Sequence, residues 1–140
     1  MGPVNWTAVI VAVIASIAVA AVWYGPLFGR AKLEEVGPGG MAMRTSAGRT
    51  LTVTVLMQFL IAAMMGHMFA RVGTDTLAAK PWLYFMMSGG LALFFVIPAL
   101  SLSYMHQRIS TRLVMIDGGY WFVSYLSMGT VFWLLSWNPA

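Results

Sequence analysis

Four long apolar runs dominate the chain: Val4–Tyr24, Leu51–Ala70, Trp82–Met105 and Leu113–Trp137. Every charged residue except Asp117 lies between them. At about 1.5 Å of rise per residue, roughly 20 apolar residues in a helix cover the ~30 Å of hydrocarbon in a bilayer. Four such runs with short connections use up all 140 residues, which leaves no length for a separate soluble domain. The expectation is an all-α, integral membrane fold: one domain, an antiparallel bundle of four transmembrane helices. A composition of 60% hydrophobic and 9% charged residues agrees, because soluble domains are about 25% charged.

The net charge of +4 does not point to nucleic acid. The cations are scattered over three connections instead of lining one face, and loop cations in membrane proteins set orientation. The 25–50 connection carries Arg30, Lys32, Arg44 and Arg49, the 71–81 connection Arg71 and Lys80, and the 106–112 connection Arg108 and Arg112. The first and third connections share a side, giving six cations against two. The cation-rich side is expected in the cytoplasm, with both termini outside. The first run is expected to be a span and not a leader. Met1–Trp6 has no Lys or Arg, and the run is long for a leader, although Ala18-Val19-Ala20 resembles a cleavage site. Trp6, Trp82 and Trp137 would mark the outer interface, and Trp23, Tyr24, Tyr104, Tyr120 and Trp121 the inner one.

Small residues at every fourth position predict the contact faces, since helices in lipid associate by close approach. The first run places Ala8, Ala12, Ser16 and Ala20 on one stripe. The second places Ala62, Gly66 and Ala70 on one stripe, with Gln58 in line and therefore expected against a neighbouring helix. Pro98 predicts a kink in the third run: it removes one backbone bond and crowds the Phe94 carbonyl, with Ser101 placed to help satisfy the freed group. In the long connection, Pro26–Val36 is a candidate interfacial helix with Glu34 and Glu35 towards water, ended by Gly37-Pro38-Gly39-Gly40.

Candidate chemistry is sparse. Asp117 is the one carboxylate inside a span, near its inner end, and an intramembrane carboxylate is a functional candidate by default. Its structural reading is a helix N-terminal carboxylate stabilised by the helix dipole and by Arg112, Arg108 or Arg49. Ser124 lies seven residues on, on the same face. His67 and His106 fall on opposite sides of the membrane, so they cannot share a metal within one chain. Met64, His67, Met68 and Met86 form a weak soft-metal candidate, as thioether and imidazole donors suit Cu(I), although Met also simply fills gaps. With no cysteine, no phosphate-cradling glycine loop and no nucleophile–base pair, the expectation is a protein without catalysis and without a cofactor.

Trp23-Tyr24-Gly25-Pro26-Leu27-Phe28-Gly29 closes the first run, and Asp117-Gly118-Gly119-Tyr120 opens the fourth, which continues to Met128-Gly129. Physically, Trp23 and Tyr24 read as interfacial anchors, Gly25-Pro26 as the end of the span, and Gly29 as a point of close backbone approach. These strings resemble the small bacterial membrane proteins grouped as domain of unknown function 1761, over nearly the whole chain. The resemblance implies four transmembrane helices in the bacterial inner membrane and brings no established activity. Two functions are carried forward. One is an accessory component packing with lipid, itself or a larger complex; the other is a transporter or channel working as a homo-oligomer, with Asp117 and Gln58 on one path.

Overall fold

Each apolar run becomes one long helical rod, started and stopped by local chemistry. The computed structural model describes residues 2–40 and 46–136. Arg44 and Trp137, invoked above for orientation and anchoring, lie outside the described residues. The rods are α1 (Trp6–Leu27), α3 (Ala47–Val72), α5 (Trp82–His106) and α6 (Thr111–Ser136). Two shorter helices, α2 (Gly29–Gly40) and α4 (Thr74–Ala79), sit in the first two connections. No strand occurs among the described residues.

Helix ends follow capping rules. Asn5 starts α1, its Oδ1 accepting from Ala8 N–H at 3.0 Å, and Ser46 starts α3 in the same manner. Gly73 ends α3 at φ 92°, a conformation that favours glycine. Arg108 ends α5 at φ 56°, with Ile109 N–H bonded back to the Tyr104 carbonyl at 2.9 Å, so a non-glycine residue takes the left-handed cap. Consecutive rods run antiparallel. They define an α2 end, with α2 and the α5–α6 turn, and an α4 end, with the N-terminal segment and α4.

Two departures from the expected helices have a common cause. Gly25-Pro26 does not end α1. The rod continues through a π-turn at Trp23–Leu27, where Phe28 N–H bonds the Trp23 carbonyl at 2.8 Å, and stops only at Phe28. The α2 helix accordingly begins at Gly29 and not at Pro26, and breaks at Gly37 (φ 73°). In α5 the irregularity falls one turn before Pro98, as a π-turn at Ala92–Val96 in which Ile97 N–H reaches the Ala92 carbonyl. Widening that turn relieves the proline's clash with the preceding carbonyls. Ser101 Oγ donates to the Ile97 carbonyl at 2.7 Å, not to that of Phe94.

In the bundle, α1 packs against α3 and α6, and α6 packs against α1 and α5. The small-residue stripes lie inside: Ala8, Ala12, Ser16, Gln58, Ala62 and Gly66 are buried. Ile10, Ile14, Leu56, Leu60, Phe94, Phe95 and Met115 point outward. The polar side chains of Ser16, Gln58, Ser88, Asp117 and Ser124 are buried. An apolar exterior around a partly polar interior is stable in hydrocarbon and costly in water.

Three rods, α1, α3 and α5, are long and apolar enough to cross a membrane. The fourth, α6, matches them in length at 26 residues but carries Asp117, Gly118, Ser124 and Gly129 on buried positions. A helix enclosed by others spends fewer residues on an apolar surface. Ten residues of α6 are buried, more than in any other rod.

Candidate functional site

The site grows from the string that closes α1. Trp23 and Tyr24, on successive positions, meet successive residues of α6: Trp23 Nε1 donates to the Ile116 carbonyl at 3.0 Å, and the Tyr24 hydroxyl donates to Asp117 Oδ1 at 2.5 Å. Gly119 makes room for this, since a Cβ there would lie 2.9 Å from the Trp23 ring. After the π-turn the backbone doubles back so closely that a Cβ on Gly29 would lie 2.6 Å from the Tyr24 carbonyl oxygen. Glycine at 29 is thus what lets α2 fold under the bundle, as expected of it, although its neighbour is its own chain.

Folding back brings Lys32 to Asp117. Its ammonium lies 3.1 Å from Oδ1 and 4.3 Å from the Tyr24 ring centroid, a charge pair with a cation–π contact. From α5, the Tyr104 hydroxyl donates to Oδ2 at 2.7 Å. Asp117 is 4% exposed, and its two oxygens take one cation and two phenols. A buried carboxylate is tolerable only with such compensation. A looser layer lies outside it. Arg112 reaches Glu34 and Glu35, each at 3.3 Å, and the Ser110 hydroxyl, which also caps α6 through Leu113 N–H, donates to Glu35. Six polar side chains, Lys32, Glu34 and Glu35 from α2 with Ser110, Arg112 and Asp117, thus clamp α2 beneath α6.

The expected partners of Asp117 are therefore corrected. Arg112 serves the glutamates, and the cation at Asp117 is Lys32. Asp117 also sits six residues into α6, past the first turn. The interfacial anchors need the same revision: Trp23 and Tyr24 turn inward, and Tyr120 is buried. Trp6 and Trp82 are exposed near the α4 end, where interface markers were expected.

From Asp117 the polar groups continue towards mid-bundle. The Tyr24 and Tyr120 rings pack with centroids 5.1 Å apart, and Gln58 Nε2 donates to the Tyr120 hydroxyl at 2.8 Å. Gln58 and Tyr120 are both buried. Gln58 Oε1 and Ser124 Oγ are buried without hydrogen-bond partners. The structure thus gathers Asp117, Gln58 and Ser124, three candidates on two helices, along one seam.

The methionine–histidine candidate is arranged differently. Met64, His67 and Met86 are exposed on α3 and α5, Met68 is half-buried, and the α3–α5 contact is filled by the Phe69 and Tyr84 rings at 4.8 Å. His67 Nδ1 lies 2.9 Å from the Ala63 carbonyl, and its ring meets the Trp6 edge. Among the described residues no group of three His, Cys, Asp or Glu forms a metal site.

Lys32 and Tyr104 were not singled out as partners of Asp117. Tyr104 was findable, since a short turn joins α5 and α6 and puts the last turn of one beside the second turn of the next. Lys32 had no such signal, because its position depends on the route of the chain after Phe28.

The sequence model of one family, described as "Protein of unknown function (DUF1761)", matches residues 7–133, from the first turn of α1 to the last turns of α6. Comparison with the curated proteins and with the solved structures yields no match.

Proposed function

The chain belongs to the DUF1761 family, and from that premise we propose that it is a noncatalytic integral membrane protein of the bacterial inner membrane. It acts as an accessory component that packs with lipid, with copies of itself or within a larger membrane complex. The carrying observation is the inverted surface: bulky apolar side chains on the outside of α1, α3 and α5, serine, glutamine and aspartate within. In this reading α6 is the fourth span, packed against α1 and α5. The six cations of the α2-end connections favour the cytoplasm for that end, with the termini facing the periplasm. Asp117 works as a latch, holding α2 at the membrane surface through Lys32. Native mass spectrometry of gently solubilised protein tests the reading. A stable partner, a defined homo-oligomer or retained lipid is expected; a bare monomer that binds none of them would refute it.

A second reading, an oligomeric transporter or channel for protons or cations, rests on the unpartnered Gln58 Oε1 and Ser124 Oγ in line with Asp117. It requires flux in proteoliposomes that Asp117→Asn abolishes. A soft-metal version, with Met64, His67, Met68 and Met86 as donors, requires Cu(I) uptake by the purified protein, and a blank titration removes it.

A further inference from the structure

A cavity of about 190 Å³ opens at the α4 end, between the N-terminal segment and helices α3 to α6. Its floor is aromatic. Phe69 packs against Tyr84 and Phe132, with ring centroids 4.8 and 5.1 Å away. Its roof is residues 2–5, fastened by Gly2 N–H to the Ala70 carbonyl at 3.3 Å. Two polar side chains of the lining are already engaged: Asn5 with Ala8 N–H and the Leu135 carbonyl, Ser136 with the Trp133 carbonyl.

Thr74, at the rim, is exposed; Tyr84 is buried and not engaged in this way. It is 5% exposed, it lines the cavity, and its hydroxyl has no hydrogen-bond partner among the described residues. A phenol hydroxyl that makes no bond within the protein and belongs to a side chain lining the cavity offers a donor to whatever fills that cavity. An apolar cavity of about 150 Å³ is large enough to take benzene.

We propose that this cavity binds a small, mostly apolar molecule carrying one hydrogen-bond acceptor, such as a monocyclic aromatic ketone or ester. Its ring packs on Phe69, Tyr84 and Phe132, and its carbonyl oxygen accepts from the Tyr84 hydroxyl. The site is separate from the Asp117 cluster, which lies at the other end of the bundle.

The test compares 4-fluoroacetophenone with fluorobenzene by ¹⁹F NMR, using the full chain in phosphatidylcholine nanodiscs and subtracting the partition into empty discs. Saturable binding of both is expected, with the ketone about tenfold tighter, the worth of one hydrogen bond. Tyr84→Phe keeps the ring and should bring the ketone down to the level of fluorobenzene. Ala70→Leu, which fills the cavity, should abolish both; Thr74→Phe at the rim serves the same purpose if that variant does not fold. Three results would overturn the proposal: no saturable binding, no preference for the ketone, or binding that survives both filling substitutions.

Discussion

The two ends of this bundle are held by different forces. At the α2 end the helices are joined by directional polar contacts: Lys32, Tyr24 and Tyr104 on Asp117, Trp23 on the Ile116 carbonyl, Arg112 and Ser110 on the α2 glutamates. At the α4 end they are joined by fit. A Cβ on Gly66 would sit 3.2 to 3.3 Å from Val4, Val9 and Phe132, and one on Gly129 would press on Ser88 and lie 2.9 Å from the Tyr84 carbonyl. Hydrocarbon supplies little hydrophobic drive between helices, so polar bonds and close packing are the alternatives, and this chain uses one at each end. The polar end sets register and holds α2. The packed end sets helix separation, and where its packing is incomplete it leaves a cavity.

That contrast breaks most easily at the packed end. Gly129→Val should cost about 3 kcal/mol, since the atoms it meets include backbone that cannot swing away. Unfolding in bicelles at wild-type stability would show that α5 and α6 do not cross so closely. At the polar end, Lys32→Met should cost about 2 kcal/mol by stranding a buried carboxylate, less than for a fully buried pair because Lys32 is a third exposed. Adding Asp117→Leu to it should restore most of that loss, and a double-mutant cycle without such coupling would mean the pair does not form. Tyr104→Phe removes one hydrogen bond to the same carboxylate and should cost about 1.5 kcal/mol, measured in the same way.

Smaller effects sharpen the picture. Arg112→Ala should change stability by no more than about 0.5 kcal/mol and lose even that in high salt, because the arginine and Glu34 are both well exposed. Ser124→Ala should be near neutral or slightly stabilising, as its hydroxyl is buried without a partner. A clear loss of stability in that variant would place a bound water or ion at the seam.

Much of this was legible in the residues. The rods end within four residues of the apolar runs, because run length and capping side chains act locally. Burial of Gln58, Ala62 and Gly66 followed from four-residue spacing. Asp117 stood out as the one charge within a run. Its partners did not follow, because three arginines were equally near on paper and the choice fell to Lys32 on a helix whose course no periodicity encodes. The inward turn of Trp23 and Tyr24 was hidden likewise: an aromatic at a span end reads as an interface anchor unless an acceptor is known to lie opposite it.

From the order of residues alone came the solvent-facing chemistry, the four rods and their stripes, and membership of the family follows from 127 aligned positions, 7 through 133. These are properties of single helices, set by 1.5 Å of rise and 3.6 residues per turn. The tertiary structure decided which helix sits at the centre, which cation neutralises Asp117, and where a hydroxyl on Tyr84 is left facing open space. Those outcomes depend on π-turns and glycine contacts that steer segments far apart in the chain, and no short-range rule carries that information.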